Sequence, residues 1–188
     1  MELSSQTERE PLLSPRSRYA GTPIEELLLF HNEGKDASGI CERPQLIVSL
    51  CMDQRISLHL PEGFAYTLRT PGSRIQGLEF AVSYAIAMGE VRTLAIIGHT
   101  DCAMTKVKEV KRCFVRRLDT WHTGWSAKDA LRHFNRWAPT FYIENIEQHV
   151  RIQADWISGI FPDLLVAPMI YQVEDHHLYL LEENGSSL

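Results

Sequence analysis

Two stretches of the chain end in side chains that can do chemistry. Residues 46–55 read "LIVSLCMDQR" and residues 96–104 read "IIGHTDCAM". In each, an apolar run stops on soft or ionisable groups: Cys51, Asp53 and Arg55 in the first, His99 and Cys102 in the second. Two thiolates and one imidazole make a good donor set for zinc, and three protein ligands leave a fourth position for water, as catalytic zinc requires. Taken singly, each residue is better explained as a buried cysteine or a hydrogen-bonded core histidine. Taken together, beside an aspartate and an arginine, they point to a metal site on Cys51, His99 and Cys102. Arg55 follows Cys51 by only four positions, too few for the loop of a cysteine phosphatase.

Asp53 stands two positions beyond Cys51, within reach of the metal or its water. Arg55 can grip its carboxylate through a bidentate pair. That pairing lowers an aspartate pKa and keeps the group a hydrogen-bond acceptor, able to orient a metal-activated water. The bland alternative is a surface salt bridge, worth at most ~1 kcal/mol. The position next to a ligand favours Asp53 and Arg55 as candidate catalytic residues. His59, His122 and His133 are of the right type for a proton shuttle. Nothing in the sequence brings them to the site, so each reads as a surface histidine.

The elements that must position these groups follow from the hydrophobic pattern. "QLIVSLC" and "RTLAIIG" are continuous apolar runs, as expected of parallel strands covered on both faces, and Cys51 and His99 fall at their carboxyl ends, where open α/β sheets build their sites. "FAYTLRT" is a further strand, set off from the first by "PEG" at 61–63. "IQGLEFAVSYAIAMG" reads as a buried helix ending at Gly89. Helices are also expected over 105–118, 126–137 and 144–161, with "WHTGW" at 121–125 as a loop. "LLVAPMIYQVED" is a strand that turns at "DHH" into a short last strand, "LYLL", before a polar tail. Strands alternating with helices give an α/β fold, a mostly parallel sheet with flanking helices and an antiparallel edge.

Near the start, "TPIEELLLFHNEG" carries a helix. Thr22 suits the N-cap, Pro23 the first turn and Glu25 a capping box, and Gly34 can close it. Its stripe of Ile24, Leu27, Leu28 and His31 has few partners nearby in sequence, so it is expected to lie on another subunit. Residues 1–21 are rich in Ser, Glu, Arg and Pro and are expected to be a mobile tail, without the pattern of a secretory signal. Residues 22–42 form a helical arm and 43–188 a single zinc-binding catalytic domain. There is no internal repeat.

Composition sets outer limits. With 188 residues, 44% hydrophobic and 23% charged, the chain is an ordinary globular protein with room for one core. A net charge of −5 and the lack of a dominant Lys/Arg block argue against a nucleic-acid partner. The densest basic piece, 106–117, interleaves its charges with Val107, Val110, Phe114 and Leu118, which is a solvated helix face. No apolar run approaches the ~20 residues that span a bilayer, so no membrane partner is expected. The four cysteines, Cys41, Cys51, Cys102 and Cys113, do not read as a disulfide framework, and a reducing, cytoplasmic setting is expected.

"CMDQR" followed by "GHTDC" resembles the Cys-x-Asp-x-Arg and His-x-x-Cys signature of the β-class carbonic anhydrases. The resemblance runs from about residue 43 to the end and takes in "LRTPGSR" and the terminal "IYQVEDHHLYLL". It implies that family's fold and zinc on Cys51, His99 and Cys102. It also implies an Asp53–Arg55 dyad and a homodimer, or an oligomer built from dimers, in which the helical arm crosses to the partner. In some members the aspartate equivalent to Asp53 becomes a fourth zinc ligand in a closed, inactive form. This chain departs from the pattern at two places. Thr70 and Pro71 replace the family's Asn and Ala, and Ala103 stands where Gly usually follows the second cysteine. These departures bear on the substrate more than on the metal. The implied activity is reversible hydration of carbon dioxide to bicarbonate. The alternatives are a zinc hydrolase of carbonyl sulfide or carbon disulfide on the same scaffold, and a non-catalytic zinc-binding module.

Overall fold

The structure, a computed structural model, describes residues 17–121 and 124–181. Most of the expected N-terminal tail, His122 and the polar C-terminal segment lie outside the described residues. Strands β1 (Leu46–Cys51), β2 (Ala65–Thr70), β3 (Thr93–His99), β4 (Leu165–Tyr171) and β5 (Leu178–Leu180) form one sheet in the order β2-β1-β3-β4-β5. The first four are parallel and β5 runs antiparallel to β4, as the alternation of elements predicts. Every residue of β1 and β3 is buried, which is why their sequences carry apolar side chains on both faces. β2 is an edge strand and is only partly covered.

The connections place helices α2 (Glu79–Gly89) and α5 (Ile146–Ile160) on the same face of the sheet, where Val82, Ala85, Val150, Ala154 and Ile157 pack with Ile47, Leu94 and Ile96. The opposite face would be bare without α1 (Pro23–His31), which covers it with Ile24, Leu27, Leu28 and Phe30 against Val48, Leu50, Ala95, Ile97 and Met169. The expectation that α1 lies on another subunit is thereby corrected. Its apolar stripe is covered by its own chain, and the Asn32 side chain fixes the helix end to β5, donating to Leu178 O and accepting from Leu178 N. Thr22 caps the start of α1 as expected, accepting from Ile24 N–H, while the Glu25 carboxylate takes Gly21 N–H rather than the Thr22 N–H of a capping box.

α2 differs from the expected buried helix. Only Val82 and Ala85 are buried, while Phe80, Tyr84 and Met88 stand outward on a common stripe. Beyond Glu79 and Ser83 the helix is apolar, but it touches the sheet with one side. The predicted helix over 105–118 divides into a 3₁₀ turn, Ala103–Lys106, and α3 (Lys111–Thr120). α4 (Ala127–Phe141) packs against α3 as a hairpin and continues past its expected end through Pro139. α5 starts at Asn145, whose side chain accepts from Gln148 N–H, and lies very close to β3. A Cβ placed on Gly98 would fall 2.6 Å from a Val150 methyl, so the residue before His99 has to be glycine for the helix to sit there. Among the described residues, no helix is long and apolar enough to cross a membrane.

Candidate metal centre

β1 and β3 are neighbours, so their carboxyl ends bring Cys51 and His99 side by side. The chain then turns back through Asp101, in the left-handed region at φ 52°, and delivers Cys102 to the same point. One donor atom from each of Cys51, His99 and Cys102 lies within 4.8 Å of the others, all three residues being buried. The two sulfurs are 4.0 Å apart. Tetrahedral zinc with two Zn–S bonds of ~2.3 Å sets them about 3.8 Å apart.

The imidazole supplies the best test of fit. His99 Nδ1 is 2.9 Å from the Thr100 carbonyl, which can only accept, so the ring hydrogen sits on Nδ1. Nε2 then offers a lone pair, and it is fully buried with no hydrogen-bond partner. Buried polar atoms are rarely left so. A metal ion between Nε2 and the two sulfurs would satisfy it, with Nδ1 held as metal-binding histidines normally hold it. Thr100 is itself fixed: its hydroxyl donates to Glu174 at 2.9 Å and accepts from Val173 N–H at 2.9 Å.

Cys51 is held at both ends. Arg69 donates to its carbonyl at 3.0 Å and to Ile56 O at 2.9 Å, while Gly72 N–H donates to Sγ at 3.3 Å. Cys102 Sγ lies within hydrogen-bonding reach of Cys51 Sγ. The contact with Cys102, first, and the Asp53 and Gly72 amides hold the Cys51 thiol below its ordinary value against the cost of burial. That same contact, together with burial, pushes Cys102 up.

Asp53 and Arg55 form the expected bidentate pair: Nη2 to Oδ2 at 2.8 Å and Nε to Oδ1 at 3.1 Å, with Arg55 N–H also on Oδ1 at 2.9 Å. These bonds hold the Asp53 carboxyl down to about 2. Its Oδ2 lies 4.0 Å from His99 Nε2, beside the convergence point of the donors. The sequence reading missed a third member. Asp101 accepts Arg55 Nη1 at 3.1 Å through its carboxylate and Nη2 at 3.1 Å through its carbonyl, and Lys106 donates to the same carboxylate at 2.9 Å. Its place between His99 and Cys102 was the available signal. The candidate shuttles are not brought in: His59 N–H donates to His31, and His133 packs among Phe114, Trp125 and Trp137 in the α3–α4 hairpin. Ala103 is exposed at the start of its 3₁₀ turn.

Comparison with protein-family models and with curated proteins found no match. Solved structures do match. The carbonic anhydrase from Glaciozyma antarctica superposes with a TM-score of 0.60 at 17% identity, over 88% of this chain and 100% of that one. The β-carbonic anhydrase isoform I of Trichomonas vaginalis gives 0.62 at 12% identity, over 86% and 95%. A carbon disulfide hydrolase in its apo form gives 0.56 at 18% identity, over 88% and 94%. At such identities the likeness is one of fold, and it agrees with the one the motifs imply: this chain has the fold of the β-carbonic anhydrases.

Proposed function

We propose that the chain is a zinc-dependent enzyme that hydrates carbon dioxide reversibly to bicarbonate. The observation that carries this reading is the orphaned Nε2 of His99, converging with two thiol sulfurs beside an aspartate whose two oxygens are both engaged by one arginine. Zinc held there would supply an acidified water, its pKa brought from 15.7 toward ~7. Asp53 acts as a fixed acceptor that orients that water toward substrate. Arg55 keeps the carboxylate turned to itself, and Asp101 with Lys106 keeps Arg55 in place. Two thiolates donate much charge to a metal, and the Gly72 N–H on Cys51 offsets part of it. Both ligand thiols must stay reduced, which suits a cytoplasmic setting. The homodimer implied by the family resemblance belongs to the same proposal. With α1 covered by its own sheet, the outward stripe of Phe80, Tyr84 and Met88 on α2 is an exposed apolar surface available to form it.

A second reading, hydrolysis of carbonyl sulfide or carbon disulfide, is supported by the carbon disulfide hydrolase among the fold neighbours and by the altered Thr70–Pro71 turn beside Cys51. One purified, zinc-loaded sample separates the readings. Stopped-flow proton release on mixing with carbon dioxide is expected. Sulfide release from the sulfur analogues without carbon dioxide hydration would replace the first reading by the second. Zinc uptake without either reaction would leave a non-catalytic zinc module.

A further inference from the structure

Gly72 occupies the centre of the turn that carries the amide onto Cys51. The turn, Pro71–Ser73, has two successive residues in the left-handed region, Gly72 at φ 68° and Ser73 at φ 58°. For a serine that conformation costs on the order of 1 kcal/mol, and it persists only where the surroundings over-determine it. The restraints are visible. Ser73 Oγ donates to Ile97 O, Ser49 Oγ donates to Ser73 O at 3.2 Å, and Thr70 Oγ1 donates to Arg74 O at 2.8 Å.

The carbonyl of Gly72 has a partner from a different layer. His149 Nε2 lies 3.1 Å from it, and a carbonyl can only accept, so Nε2 carries the hydrogen. One helical turn on, Gln153 is almost fully buried and its Oε1 accepts from Ile75 N–H at 3.0 Å and Gln76 N–H at 3.4 Å. His149 and Gln153 are therefore a polar ladder on an otherwise apolar face of α5, gripping residues 72–76. Val150, between them, is the side chain that meets Gly98, next to His99. One helix face thus braces both ligand-bearing strand ends.

We infer that His149 is a positioning residue for the metal centre, holding the Gly72 turn so that Gly72 N–H stays on Cys51 Sγ. The inference rests on the metal-centre reading above. Without the imidazole, Gly72, which turns as readily to negative as to positive φ, can swing its amide off the sulfur. A thiolate that loses an N–H donor is more electron-rich and less well placed.

Cobalt(II) in place of zinc reports on this directly, through the sulfur-to-metal charge-transfer absorption in the near ultraviolet. His149→Phe keeps a flat ring and removes the donor; His149→Gln restores a donor. For His149→Phe the charge-transfer band should move to lower energy, and metal affinity, by competition with a chelator, should fall about tenfold or more. His149→Gln should return both toward the parent values. Thermal unfolding of the metal-free chains should not separate the two variants. An unshifted band and parental affinity in His149→Phe would overturn the inference, as would losses in both variants that track the stability of the metal-free chain. A parent chain that takes up neither cobalt nor zinc would overturn the metal centre and the inference with it. A parent that takes up metal but turns over neither carbon dioxide nor its sulfur analogues overturns only the catalytic reading, and the cobalt band still decides the role of His149.

Discussion

The carboxyl ends of β1 and β3 and the α3–α4 hairpin both concentrate polarisable and aromatic side chains, but they are built differently. At the strand ends Cys51, His99 and Cys102 are buried and held from several directions by backbone amides, carbonyls and neighbouring side chains. In the hairpin, α3 buries none of its residues, and Phe114, Trp125, His133, Phe134 and Trp137 are ordered mainly against one another. Trp121 is 72% exposed. Ring contacts of this kind contribute about 0.5–1.5 kcal/mol each and tolerate rearrangement. Donor atoms that must meet one ion do not, since a site needs its ligands in place to within about 0.5 Å. A dense group of suggestive residue types is therefore weak evidence of a site. Convergence of their donor atoms, fixed by supporting bonds, is strong evidence.

The sharpest test of this contrast is Cys102→Ser. A serine hydroxyl does not deprotonate to replace a thiolate, so near-stoichiometric zinc in the parent should fall to a small fraction by elemental analysis. Full zinc retention would mean that the convergence point is not the metal site.

The dyad comes next. Asp53→Asn keeps the shape but removes the charged acceptor, and the amide can present NH₂ to the water. Zinc should stay, because three ligands stay, while turnover should fall by about 10²-fold or more. Arg55→Ala should fall similarly by another route, freeing Asp53 to approach the metal. In that variant a carboxylate oxygen about 2.0–2.2 Å from zinc is expected by crystallography. Parental rates in both variants with zinc intact would reduce the pair to a salt bridge.

Gly72→Ala should have a smaller effect, on stability and site together. The new Cβ would sit in the left-handed region and 2.5 Å from the Ile143 Cδ1 methyl. The flexible end of Ile143 can give way, so a loss of about 1–3 kcal/mol is expected, read as a lower midpoint in denaturant, with weaker metal binding. An unchanged midpoint would show that the turn is less constrained than its bonds imply.

What the sequence disclosed follows the same division. β1 and β3 were legible because strands buried on both faces write unbroken apolar runs, and their terminal residues carried two of the candidate ligands. The Asp53–Arg55 pair was legible because it closes over two positions. The cover for α1 was not: a stripe says that a helix face is buried, not by what, and Asn32 meets Leu178 at a separation of 146 residues. α2 read as buried because, beyond Glu79 and Ser83, it has no polar face to betray its exposed side. His149 left no mark, since its partner is a backbone carbonyl 77 residues away, which constrains no side-chain type.

The smallest effect is expected where thiols occur without convergence. Cys41 and Cys113 are free and half-buried, Cys41 in the approach to β1 and Cys113 on the hairpin. Neither belongs to the group of donor atoms that could hold an ion. Sulfur and hydroxyl differ little in size, and substitutions this near the surface cost about 1 kcal/mol or less. The double variant Cys41→Ser, Cys113→Ser should therefore keep one zinc per chain and the parent's turnover, with at most a slight fall in thermal midpoint. The comparison with Cys102→Ser is then internal to one element type: the same exchange of sulfur for oxygen abolishes metal binding at one position and leaves it untouched at two others. If the double variant lost zinc, residue type alone would have misdirected the choice of thiols, and the buried pair at 4.0 Å would need another explanation.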